Sequence, residues 1–285
     1  MLSNAHIRPY VELTRLHKPI GILLLLWPTC WALWLAADGS PPWTILLVFV
    51  MGVVLMRSAG CVVNDIFDRN FDRHVRRTRQ RPLVVGSISV RRAAIFALVL
   101  LLMAFLLVLT CNMLTIALAI VGAFLAVTYP LLKRYTYLPQ LGLGVAFSWG
   151  VPMAFAAVQN NVPASAWLVF SAALLWPVIY DTLYAMTDRA DDLTIGVKST
   201  AILFGQYDVF IIGCLMLMFL LLLVVVGRLF QLNAFYYTAL LLVTILFTHQ
   251  LWQIRTRDPD QCFQAFLQNN SIGLVIFLGL IGGQM

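Results

Sequence analysis

An all-α, polytopic membrane protein of about nine transmembrane helices is predicted by three observations on this sequence. Of its 285 residues, 61% are hydrophobic and 11% charged, against roughly 45–50% apolar and about 25% charged in ordinary soluble domains. The apolar residues fall into runs close to the roughly 20 residues that a helix needs to cross hydrocarbon. The charges, finally, collect on alternate connecting segments. No compositional break or linker interrupts the chain, so residues 1–285 are read as a single integral-membrane domain.

The runs can be taken in order. The first, 20–37, follows the cations Arg8, Arg15 and Lys18 and ends in Leu35-Ala36-Ala37, an outline shared with signal peptides. It is longer than an ordinary signal core and carries Trp27, Pro28, Trp31 and Trp34, so it is read as a retained first span. DGSPP at 38–42 turns the chain into a second run, 43–63. Runs at 93–110 and 112–132 are nearly continuous; 139–158 and 164–186 are separated by QNNVPAS. The last three, 209–227, 233–251 and 270–284, complete nine, or eight if the short, glycine-rich final run is left out.

With nine spans, segments 1–19, 64–92, 133–138, 187–208 and 252–269 share one side. They hold, with Arg57 just inside the second span, every lysine and arginine except Arg228. Cationic loops stay cytoplasmic, which assigns the N terminus and these loops to the cytoplasm of a bacterial inner membrane. The net charge of +7 is thereby explained by topology and requires no nucleic-acid partner. Protein partners cannot be read from it. Five scattered cysteines and four unclustered histidines give no zinc, haem, iron–sulfur or disulfide pattern.

Two of the cationic-side segments carry the chemistry: NDIFDRNFDRHVRRTRQRP at 64–82 and YDTLYAMTDRADDLTIGVKST at 180–200. Both follow an apolar run and hold an aspartate series followed by cations. At about 100° per residue, Asn64, Asp68, Asp72 and Asp65 span only about 100° of one helix face. Asp188 and Asp192 likewise fall within about 20° of Asp181, on either side of it, while Asp191 points elsewhere. A solvated helix end with pairs such as Asp65–Arg69 would explain one cluster. However, Asp68 above Asp72, and Asp188 above Asp192, are like charges at i,i+4, which repel. The repetition points to something positive between the two faces. Hard oxygen donors suit Mg²⁺, which keeps waters and is completed by substrate phosphates. Two facing sets would hold two or three such ions with a diphosphate between them.

Arg76, Arg77, Arg79, Arg81 and Lys198 are candidates to close over phosphate oxygens, beside their role in topology. A diphosphate clamped at a membrane surface implies a diphosphate lipid as substrate. Its ionisation leaves an allylic cation, for which Tyr180 and Tyr184 are candidate aromatic faces; both also fit as interfacial aromatics. Arg57 lies on the Asn64 face about 10 Å deeper. It is a candidate for an acidic acceptor group, or else a snorkelling cation. Lys133 and Arg134 are the alternative.

NDxxDxxxD (64–72), YDxxYAMxDRxDD (180–192), MRSAGCVVND (56–65), RTRQRPL (77–83), YPLLKRYTYLPQ (129–140), IGVKSTAILFGQYD (195–208) and KPIGILLLLWPTCWALW (18–34) together resemble the UbiA superfamily of intramembrane prenyltransferases. Within it, they are most similar to members that prenylate 4-hydroxybenzoate in ubiquinone biosynthesis. The resemblance implies nine helices around a central cavity capped by cytoplasmic loops. It also implies transfer of a chain from polyprenyl diphosphate to the ring carbon ortho to the acceptor hydroxyl. By motif match, Asp68, Asp72, Asp188 and Asp192 would be the principal Mg²⁺-diphosphate ligands, with Asn64, Asp65 and Asp181 supporting. Other acceptors (homogentisate, a dihydroxynaphthoate, a porphyrin) are the nearest alternative reading. A cation-coupled transporter is a distant one, because its ionisable groups belong near mid-bilayer.

Overall fold

The computed structural model describes residues 4–75 and 77–285. A surface helix, α1 (Asn4–Leu13), precedes nine helices long and apolar enough to cross a membrane among the described residues. They are α2 (Ile20–Ala37), α3 (Trp43–Asp72), α4 (Val90–Val108), α5 (Met113–Tyr135), α6 (Pro139–Gln159), α7 (Ala164–Ile195), α8 (Thr200–Leu229), α9 (Ala234–Ile254) and α10 (Pro259–Gly283). Spans of this kind must satisfy their backbone internally, which is why the chain contains only helices at this depth.

Several helices exceed their apolar runs, for one reason. Hydropathy marks the stretch suited to hydrocarbon, not where the backbone stops being helical. Accordingly α3 continues from 63 to Asp72, α7 continues from 186 to Ile195, and α10 begins at Pro259 rather than 270. The start of α10 is fixed by Asp258, whose side chain accepts from Gln261 N–H at 3.0 Å, with Pro259 at the first position. The end of α7 is fixed by Gly196, at φ +73°, a left-handed backbone that glycine adopts without steric cost. Val197 N–H then returns to the Asp192 carbonyl at 3.1 Å. Both acidic motifs thus sit at helix C-termini, the ends of two long helices of the bundle.

Burial separates inner from outer helices. In α7, 61% of the membrane-length window is buried, against 11% in α5; α7 is central, and much of α5 faces lipid. α7 packs on α6, α8 and α10; α2 packs on α6 and α10; α3 pairs with α4, and α9 with α10. Trp31, Trp176, Tyr180 and Phe219 fill the core between them. Two polar ties pin the tryptophans, Trp176 to Asn269 at 3.1 Å and Trp27 to Asn270 at 2.9 Å. In α6 the helix is interrupted at Trp149. Pro152 lacks the N–H that the Ser148 carbonyl would accept. This break lies beside the apolar cavity described next.

Candidate active site

α2, α3, α5, α6, α7 and α10 surround a polar chamber of about 650 Å³ at the end of the bundle where the acidic motifs lie. An apolar cavity of about 350 Å³ adjoins it between α2, α3, α4, α5 and α6. Arg57, Tyr129 and Phe147 belong to the walls of both, so they form the neck.

The α3 stripe enters the chamber as a unit: Asn64, Asp65, Asp68 and Asp72 all line it. So do Asp181, Asp188 and Asp192 from α7, whereas Asp191 does not. Carboxylates at a helix C-terminus face the negative end of the helix dipole, a cost of about 0.3–1 kcal/mol each near the last turn. Cations from elsewhere offset it. Arg15 grips Asp65 through both carboxylate oxygens, at 2.7 and 2.9 Å. Arg81 bridges Asp65 at 3.0 Å and Asp72 at 2.7 Å. Lys133, from the end of α5, pairs with Asp68. Arg77 spans the mouth to Asp188 and Tyr184, with its guanidinium 4.4 Å from the tyrosine ring centre. Burial works against the charge on Arg81, but Asp65 and Asp72 outweigh it and raise its pKa, so Arg81 stays charged.

The sequence motif KST holds the lower wall together. Lys198 donates its backbone N–H to the Lys133 carbonyl at 3.2 Å. Ser199 caps α8, and Thr200 N–H reaches buried Gln140 Oε1 at 3.0 Å. The Thr200 and Thr182 hydroxyls are 2.7 Å apart.

Arg57 occupies the neck with its guanidinium 5.6 Å from the Phe147 ring centre. Its Nε is buried without a partner. Gly21 of α2 makes the room: a Cβ there would lie 2.6 Å from Arg57 Nε. A half-buried guanidinium whose Nε lacks an acceptor is costly and is poised for an anionic group. Two further orphan atoms face the same space, Asp68 Oδ1 and the Tyr180 hydroxyl.

The donor set tests whether a divalent cation fits. With the carboxylates turned onto lysine and arginine, no three of them converge on one point among the described residues. The set is nevertheless all hard oxygen, comes from two helix C-termini lining one chamber, and includes Asp68 Oδ1 with no protein partner. Those properties fit Mg²⁺.

Of the residues singled out from sequence, Arg57, Arg77, Arg81, Lys133, Tyr180, Tyr184 and Lys198 also line the chamber. Lys198 stands at its rim, bonded to the Tyr135 carbonyl at 3.2 Å and 5.3 Å from the centre of the Tyr137 ring. Arg134, offered with Lys133 as an alternative to Arg57, is not among the lining residues. It is exposed, caps the Phe67 carbonyl at 2.5 Å and lies over Phe71, outside the chamber. One residue per 100° of turn sends neighbours in different directions, so only Lys133 of that pair faces in. Arg79 is exposed and does not line the chamber; Arg76 lies outside the described residues. Sequence reasoning missed Arg15, Gln140, Phe263 and Phe266, all chamber residues. The two phenylalanines, spaced i,i+3, were hidden because their segment was counted as a loop.

Residues 25–277 match the pattern of the UbiA prenyltransferase family, and the chain belongs to that family. Among its relatives, the 4-hydroxybenzoate octaprenyltransferase of Aeromonas hydrophila is 58% identical over 95% of this chain and 95% of its own. That of Saccharophagus degradans is 56% identical over 95% of this chain and 91% of its own. Among solved structures, a UbiA homolog from Aeropyrum pernix superposes with a TM-score of 0.80 at 23% identity, covering 91% of this chain and 96% of that one. A homolog from Archaeoglobus fulgidus bound to GPP and Mg²⁺ gives 0.74 at 17%, covering 96% and 99%.

Proposed function

We propose that this protein transfers a polyprenyl chain from polyprenyl diphosphate to the ring carbon ortho to the hydroxyl of 4-hydroxybenzoate. The reaction is Mg²⁺-dependent, belongs to ubiquinone biosynthesis, and takes place in the bacterial inner membrane with the chamber facing the cytoplasm. The whole chain acts as one membrane domain. The observation that carries this reading is an acid-rich chamber, fed by two helix ends, set directly against an apolar cavity, with Arg57 in the wall of both. Such a site accommodates a diphosphate head, a hydrocarbon tail and an anionic aromatic at once. The relatives in Aeromonas and Saccharophagus carry the name of this reaction, which supports the choice of acceptor.

Asp68, Asp72, Asp188 and Asp192, with Asn64, would hold Mg²⁺. Bound there, the ion supplies positive charge that stabilises the departing diphosphate. Asp65 and Asp181 support the set from the same faces. Arg77, Arg81 and Lys133 exchange carboxylate for phosphate oxygens as the head group arrives, and Lys198 adds charge at the rim. Tyr180, Tyr184 and Phe266 turn their rings on the allylic carbon as positive charge develops; each cation–π contact contributes about 0.5–2 kcal/mol. The adjoining apolar cavity excludes water, which would otherwise intercept the cation. Arg57 binds the acceptor carboxylate and so presents the ring at the boundary between head group and tail.

Incubation of membranes with 4-hydroxybenzoate, a set of prenyl diphosphates and Mg²⁺ should give a product whose mass is the sum of acid and prenyl group less one hydrogen. Absence of product with every donor would overturn the reading. Arg57→Ala should raise the KM for the aromatic acid roughly tenfold or more, the worth of a lost charged hydrogen bond, and leave that for the donor nearly unchanged. Gly21→Val, which drives a side chain into the Arg57 position, should mimic it. Equal effects on both substrates would remove Arg57 from the acceptor site.

A further inference from the structure

Outside the chamber, one carboxylate gathers three cytoplasmic-side segments. Asp208, which opens the continuous helical stretch Asp208–Leu229 of α8, is fully buried. Arg189 of α7 pairs with its Oδ2. Arg257, between α9 and α10, reaches Oδ1 at 2.9 Å through a terminal nitrogen and at 3.0 Å through Nε. Asp208 Oδ1 also accepts from Val209 N–H at 2.7 Å. Arg257 further donates to the Gln206 carbonyl at 2.7 Å and holds a left-handed backbone at φ +57°. Such a conformation in a non-glycine residue persists only where its surroundings enforce it, at a cost of about 1–3 kcal/mol.

Arg189 lies between Asp188 and Asp192, about 100° around the helix from Asp188, and is absent from the chamber wall. The last turns of α7 bear Asp188, Asp191 and Asp192 with no basic residue in the final turn. Mutual repulsion and the helix dipole both work to unwind or rotate this end. An ion pair to buried Asp208 on the adjacent flank, about 100° from Asp188 and about 60° from Asp192, counters that rotation.

We infer that Asp208, acting through Arg189, is a positioning residue that fixes the rotation of the α7 end and so aims Asp188 and Asp192 into the chamber. The inference rests on the function proposed above and names no new ligand of the substrate. Arg257 secures Asp208 from the far side and does not touch α7's acidic end.

The test compares Arg189→Gln with Arg257→Gln in purified, detergent-solubilised full-length protein. Each leaves Asp208 one arginine, so each keeps the buried carboxylate paired. Two readouts are taken: KM for each substrate, and calorimetric affinity for inorganic pyrophosphate with Mg²⁺. Arg189→Gln should weaken pyrophosphate binding and raise the prenyl diphosphate KM about tenfold or more, the scale of an ångström-level misplacement, with the KM for 4-hydroxybenzoate unchanged. Arg257→Gln should stay near wild type in both, and Arg189→Lys should fall between. Asp208→Asn, if it folds, should reproduce Arg189→Gln. Indistinguishable Arg189→Gln and Arg257→Gln variants, or an Arg189→Gln variant with wild-type pyrophosphate affinity, would overturn the inference. A wild-type protein that binds pyrophosphate yet makes no product would instead overturn the proposed reaction, and the calorimetry would still decide the positioning role.

Discussion

Asp68→Asn is expected to reduce turnover by roughly 10²–10³-fold or more, the range seen when one preorganised electrostatic contact to a developing charge is lost. Asp188→Asn should match it from the other helix. The substitution is nearly isosteric and removes one negative charge from a face whose neighbours are already mutually repelling. Lys133, the partner left behind, is partly open to the chamber, with its side chain 24% exposed, so it regains water and the fold loses little. Asp188 is likewise paired at the mouth, with Arg77. Normal membrane insertion and melting temperature alongside collapsed turnover would therefore separate a chemical role from a structural one. A variant retaining a tenth or more of wild-type turnover would exclude Asp68 from the ligand set.

Removal of divalent ions should be as severe. Excess chelator is expected to bring product formation to background, and Mg²⁺ to restore it. The charge balance of the chamber explains why nothing in the chain can substitute. The cations set directly against the two acidic faces are already committed, Arg15 and Arg81 to Asp65 and Asp72, Lys133 to Asp68, and Arg77 to Asp188. A diphosphate entering with no divalent ion would meet six aspartates and cations that could leave them only by exposing buried carboxylate. Asp65, 1% exposed, makes that exchange especially costly. Full activity in chelator would contradict the account.

Much of the arrangement was legible in the sequence because its two governing periodicities are simple. Runs near 20 residues gave the nine spans. A 3.6-residue repeat put Asn64, Asp65, Asp68 and Asp72 on one face, and Asp181, Asp188 and Asp192 on another; all seven line the chamber. Less legible was anything that depends on where a helix passes from lipid to water. The polar start of α10 reads as a loop by hydropathy, which concealed Phe263 and Phe266. Arg134 and Lys133 are adjacent cations that only a backbone path can tell apart. Arg15 lies fifty residues from Asp65, and no local pattern connects them. The tie between Arg189, Asp208 and Arg257 is of the same kind: three charges scattered over three segments, joined by packing alone.

The most direct test of the central claim is anomalous diffraction from crystals grown with Mn²⁺ and a non-hydrolysable prenyl diphosphate analogue. The account predicts manganese peaks between the C-terminal ends of α3 and α7, with oxygen ligands from Asp68 or Asp72 on one side and Asp188 or Asp192 on the other, and the diphosphate bridging them. Peaks held by one helix alone, or a diphosphate seated away from both, would contradict it.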